Sequence, residues 1–284
     1  MTAPHLDPTR KHDYVFMVDV RDGNPNGDPD AGGMPRLDPV TSQGLITDVA
    51  IKRKLRNVIS LLNEGREGFD IYVEAGVALN AQHERAYTAL GDDITQPDAR
   101  DWMCKTFYDI RMFGAVMTTG TKHAGRVQGP MQLTFARSVD EVLPLDIGIT
   151  RVTQTRQADI DKGESTEMGS KHIVPYGLYV GEGHFSAPLA ARTGVTGDDL
   201  EAFWRAFTLM LDHDRASTRG SMSLRGLYVF SHDDAFGRAP ARQLLDRVQV
   251  QPIGTGPARG FGDYKIEILD GDLPEGVTLT RIVG

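Results

Sequence analysis

The run "YVFMVDV", residues 14–20, constrains this chain more than any other feature. It is short, apolar and closed soon after by Asp-Gly, which predicts a buried strand. Behind it comes "RDGNPNGDPDAGGMPR" (21–36), and from Leu45 to Leu62 the pattern turns helical. Thr47 is placed to cap that helix, and Ile51, Leu55, Val58, Ile59 and Leu62 recur at three- and four-residue steps.

The rest of the chain extends this strand–loop–helix unit. "FDIYVE" (69–74) reads as a second strand. Helices follow near 81–90 and 98–112, the latter with Trp102, Met103, Phe107 and Ile110 on its core side. "MQLTFAR" (131–137), "GITRVTQTR" (148–156), "KHIVPYGLYV" (171–180), "SLRGLYVFS" (223–231) and "YKIEIL" (264–269) read as strands, and residues 198–216 as a long helix. Strand–helix–strand units with later β-rich segments predict an α/β (α+β) sandwich of ferredoxin-like type. A length of 284 residues suits a single domain with excursions at 21–44 and 156–172. No apolar leader and no run of spanning length is present, so the expectation is a cytoplasmic chain without a membrane partner.

The loop after the first strand opens like a calcium loop: Asp22, Asn24 and Asn26 alternate and Gly27 follows. The twelfth position, where a bidentate Glu belongs, is Gly33, and Pro25 and Pro29 interrupt the pattern. Turns in which Asn and Asp bond nearby backbone fit these residues better, so no metal is expected.

The helix that follows carries Lys52, Arg53, Lys54 and Arg56 against Asp48. At about 100° per residue, Lys52, Arg53 and Arg56 share a side opposite the apolar line. A solvated basic face and a phosphate-binding face both satisfy this pattern. The formal net charge of −8 argues against a nucleic-acid binder only if charge is spread evenly. "RGFGDYKI" (259–266) begins like an RNP1 strand, but Asp263 stands where an aromatic belongs.

Other chemistry is thin. The single cysteine, Cys104, excludes an internal disulfide framework and a multi-cysteine zinc site, and its place beside Trp102 and Met103 predicts a buried thiol. No nucleophile elbow, P-loop or zincin motif occurs. No acid–base pair or cofactor motif stands out. The excursion 156–171 is polar, with the large apolar side chain of Met168 near its end. A flexible surface loop and a hairpin that wedges between stacked bases both suit it.

Taken together, "DGNPNGDPDAGGMPRLDP" and "GLITDVAIKRKLRN" resemble the signature of the Csd-type backbone subunit of type I-C CRISPR Cascade, in the seventh Cas family of the RAMP superfamily. "MFGAVM" (112–117), "GRVQGPMQL" (125–133) and "SKHIVPYGLYVGEGHFS" (170–186) continue the likeness over most of the chain. The resemblance implies a modified RNA-recognition-motif palm with finger insertions and a projecting thumb hairpin. It implies a non-catalytic subunit, several copies of which assemble head to tail along one CRISPR RNA. That guide would pair with a target DNA strand, in company with other Cascade subunits and a recruited helicase-nuclease. Carried onto this chain, Lys52, Arg53 and Arg56 would grip guide phosphates, and Asn24 and Asn26 would hold the palm-edge loop beside the RNA. The thumb would be 156–172, with Met168 as wedge, Lys171 and His172 at its base, and Asp159, Asp161, Glu164 and Glu167 toward the next subunit. Related type III subunits cut target RNA with a palm-loop aspartate. Asp28, Asp30 or Asp38 would fill that place in the alternative reading, an RNA endonuclease.

Overall fold

The computed structural model describes residues 3–163 and 165–284. Its central strand β1 (His12–Gly23) is longer than the apolar run, and every residue from His12 to Val20 is buried. β1 lies between β10 (Glu167–Phe185) and β11 (Ser221–His232), antiparallel to both. Beyond β10 come β8 (Ala136–Glu141) and β4 (Gln43–Ile46), and beyond β11 the edge strand β14 (Val277–Val283). The spatial order β11-β1-β10-β8, with helices α1 (Asp48–Leu62) and α7 (Gly197–His213) in the crossovers, is the ferredoxin-like arrangement the sequence predicts.

The period of two along β1 divides its neighbours into two layers. Tyr14, Phe16, Val18 and Val20 face the helices, packing with Leu55 and Ile59 of α1 and Phe203, Trp204 and Phe207 of α7. Tyr14 meets the Phe203, Trp204 and Phe207 rings edge-on at 5.1–6.2 Å, an arrangement that suits the ring quadrupoles. Val15 and Met17 face the other way, toward α8 (Ala241–Leu245) and the hairpin of β12 (Val248–Pro252) and β13 (Tyr264–Ile268). Room for the large rings comes from β10: Gly181 lies opposite Phe16 and Gly183 opposite Tyr14. A Cβ on Gly183 would sit 2.0 Å from the Tyr14 ring.

A smaller lobe with its own core holds α2 (Leu79–Leu90), α3 (Gln96–Thr106) and α4 (Tyr108–Phe113), and beside them β5 (Gly114–Met117) and β6 (Gly125–Gln128). Two expectations fail here. Residues 98–112 are two helices, broken where Phe107 adopts an extended conformation. Residues 69–74 make only an isolated bridge, at Asp70. Phe69, Ile71 and Tyr72 are buried, but the amides of Tyr72 and Val73 donate to the Asp109 carboxylate at 2.8 and 3.1 Å. A buried acid takes the place of a neighbouring strand. Two short elements join these layers: β7 (Met131–Leu133) pairs with β10, and α6 (Ala187–Thr193) links β10 to α7. No helix is long and apolar enough to cross a membrane among the described residues.

Candidate nucleic-acid interface

The Gly/Pro/Asn loop is held from within. Its two short strands, β2 (Gly27–Asp28) and β3 (Met34–Pro35), pair with each other. Asn24 Nδ2 donates to the Gly33 carbonyl at 2.7 Å. Asn26 Oδ1 accepts from both the backbone N and the hydroxyl of Thr47 at 2.9 Å, fastening the loop to the capped start of α1. Both amides thus serve the protein's own backbone rather than an open surface. Of the acids, Asp28 pairs with Arg36 and accepts from the Asp30 amide, and Asp38 pairs with Arg137 and caps its own turn. Asp30 is exposed and has no ion pair among the described residues. Among those residues no group of three His, Cys, Asp or Glu is placed to hold a metal.

The cation face of α1 differs from the expectation. Lys52 is only 9% exposed; its ammonium reaches Asp48 and the Gln132 side chain, both at 3.2 Å. Arg56 Nε donates at 2.6 Å to Asp109, itself 1% exposed. Both cations lie over the Phe113 ring, 5.6 and 5.3 Å from its centre. Lys54 is buried against Asp214, and burial lowers its pKa. Arg53 alone of the four is exposed, with no ion pair among the described residues. Sequence could not reveal this, because Asp109 and Asp214 lie far along the chain on α4 and just beyond α7. Helical periodicity gives the angle of a side chain and says nothing of what packs there.

The projecting element is larger than the excursion 156–172. It is a hairpin of β9 (Leu145–Arg151) with the first part of β10, paired from Leu145–Ile173 out to Arg151–Glu167, with α5 (Gln157–Asp161) in the connection. β1 leaves β10 at Val174, so the hairpin continues past the end of the central strand. All of β9 is exposed. Met168, opposite Thr150, is 82% exposed. Lys171 Nζ donates to the Ser217 carbonyl at 2.9 Å, and His172 Nδ1 lies 3.3 Å from Asp146. The acids are answered locally: Glu167 by Arg151, Asp159 by Lys162, and Asp161 by the Gln157 amide. Glu164 lies outside the described residues. Leu145, Ile147 and Ile149 form an exposed apolar row on the face opposite Met168. Their alternation, "LDIGITR", was readable as period two, but the predicted strand began three residues late.

At the hairpin root a cleft of about 480 Å³ is lined by Arg21, Asp22, Asp140, Tyr176, Arg259 and Tyr264 among others. Arg21 Nη2 donates to the Arg259 carbonyl at 3.2 Å, and its guanidinium lies 6.0 Å from the centre of the Tyr176 ring. The Tyr264 hydroxyl donates to Asp140 at 2.6 Å. Burial, with Asp140 beside it, pushes this phenol far above the usual range. Two guanidinium groups face three carboxylates, counting Glu141, so the cleft has no positive excess. Without that excess the cleft does not suit a phosphate, and the Tyr176 and Tyr264 rings beside it are themselves buried. Of the cleft residues only Asp22 was weighed from sequence as a ligand, in the calcium-like loop, although Arg259 and Tyr264 lie in the RNP1-like stretch.

Two known proteins bear on this arrangement. A CRISPR-associated protein Cas7 of Haloferax volcanii is 27% identical over 224 residues, 69% of this chain and 64% of that protein. The chain therefore spans a little under two thirds of its relative. A chain of a CRISPR RNA-guided surveillance complex, pre-nicking, superposes with a TM-score of 0.52 over 78% of each chain at 11% identity, which is a likeness of fold. Residues 10–269 match the family CRISPR-associated protein Cas7, from the first residues before β1 to the end of the β12–β13 hairpin, and the chain belongs to that family.

Proposed function

We propose that this Cas7-family chain is the non-catalytic backbone subunit of a type I-C Cascade surveillance complex. Copies assemble head to tail along one CRISPR RNA in the cytoplasm. They hold the guide by its backbone and leave its bases to pair with a target DNA strand, before a helicase-nuclease is recruited. The observation that carries this reading is the hairpin running past the end of β1, with Met168 bare on one face. An apolar side chain on such a projection can part stacked bases, and the cleft at its root has room for a base so displaced. On α1, Arg53 takes a guide phosphate without breaking a protein ion pair, whereas Lys52 and Arg56 would have to exchange Asp48 and Asp109 for it.

The decisive measurement is the nucleic-acid content of the purified chain. A raised 260/280 nm absorbance ratio, due to RNA with a repeat-derived end, is expected. Protein free of RNA that also fails to bind a synthetic guide would refute the reading. Incubation of the assembled complex with complementary RNA and Mg²⁺ tests the endonuclease alternative. Cleavage that disappears in Asp30→Ala would replace the proposal with catalysis.

A further inference from the structure

We infer that Arg100, Arg126 and Arg192 form a second phosphate-binding pocket, one that takes the backbone of a nucleic-acid strand. The inference rests on the nucleic-acid reading above and adds a site apart from α1 and the hairpin root. Three elements converge on a cavity of about 470 Å³: α3 supplies Arg100, β6 supplies Arg126 and Gln128, and α6 supplies Arg192 and Thr193. It shares no lining residue with the cleft at the hairpin root.

Charge singles this cavity out. The chain has 39 acids for 31 Lys and Arg, so acids are in excess. Most cations are paired, including three of the four on α1. Around this cavity none of the three guanidinium groups has an ion pair among the described residues, and the one acid in the lining is Asp101. Holding three like charges about one hollow costs repulsion that a bound anion reverses. The spacing follows from the elements: Arg126 and Gln128 are two apart on a strand, and Leu189, Arg192 and Thr193 are three and four apart on a helix, so each set shares a face.

Guanidinium groups match phosphate and carboxylate oxygens alike, two at a time; three of them about one hollow suit a backbone that carries a charge at every nucleotide. Val127 and Leu189 add apolar surface, and the volume falls in the range of sites for nucleotide-sized groups. On another copy's hairpin, Asp159 and Glu167 already have ion-pair partners within that hairpin.

The test uses the purified full chain and a labelled single-stranded 30-nucleotide RNA, with anisotropy followed over a range of NaCl concentrations. In Arg126→Gln with Arg192→Gln, both exposed positions, the slope of log affinity against log salt is expected to fall by roughly 1.4, two contacts at roughly 0.7 each. Should the double variant melt early, Arg126→Gln alone carries the test with half that change. An unchanged slope while the wild type binds would overturn the pocket and leave the proposed function standing. A wild type that does not bind the strand removes both. Binding of inorganic phosphate that the variant loses, with the slope intact, would make this a free-anion site. Self-association that the variant loses, again with the slope intact, would make it a protein contact. Either result overturns the inference.

Discussion

Helix α1 and the cavity between α3, β6 and α6 each gather several cations and treat them in opposite ways. On α1, Lys52, Lys54 and Arg56 are turned inward onto Asp48, Asp214 and Asp109, with the Phe113 ring beneath two of them. Around the cavity, Arg100, Arg126 and Arg192 have no ion pair among the described residues. A dense basic run in a sequence can therefore be a structural joint, while scattered arginines assemble the surface that attracts an anion. Attraction at a distance depends on charge left unanswered.

The strongest way to break this contrast is to remove the acid beneath α1. Asp109 holds Arg56 and two backbone amides in a buried site. Asp109→Ala should cost about 3–5 kcal/mol in denaturant unfolding, because it strands a charge. A loss below about 1 kcal/mol would mean that the joint is not what secures the helix.

The interior should also respond to pH where the cavity does not. His12 is fully buried, with Nε2 on the Asp7 carbonyl and Nδ1 on the Ser231 hydroxyl, and burial lowers its pKa to about 4 from 6.5. The unfolded chain therefore binds a proton at this residue before the folded chain does. The stability is present in full above pH 6.5 and declines by about 3 kcal/mol as pH falls to 4. His12→Gln should flatten that part of the profile. Arginines stay charged throughout, so RNA affinity measured on folded protein is expected to be level over the same interval.

Removing a cation whose acid keeps a second partner should matter less than stranding a charge. In Lys54→Met the stem is kept and Asp214 retains Arg219 at 3.0 Å, so stability should change by no more than about 1 kcal/mol. A loss near that of Asp109→Ala would make Lys54 a second pillar of the joint. The smallest effect on stability belongs to Arg53→Ala, within about 0.5 kcal/mol. The same change should reduce the salt slope of guide binding by roughly 0.7. An unaltered slope would take α1 out of the RNA site altogether.

Much of the palm could be read from periodicity. β1, α1 with its Thr47 cap, α7 and β11 are within a few residues of their predicted bounds, because each buries a regular stripe and local pattern decides it. The misreadings share a cause. At 69–74 the apolar run is right for a strand, but the partner of its amides is Asp109. The hairpin begins at Leu145 rather than Arg156, since the excursion rests on a strand whose apolar row faces solvent. Among the site residues, Met168 is exposed, while Asn24, Asn26, Lys52 and Arg56 are engaged by the protein itself.

The sequence by itself determined the main palm elements, their order and the family to which they belong, because hydrophobic spacing and a long unusual loop are local properties of the chain. Only the tertiary structure decided which charges remain available. Neutralisation of a cation depends on an acid brought within about 3 Å from anywhere in the chain, and that distance is set by packing.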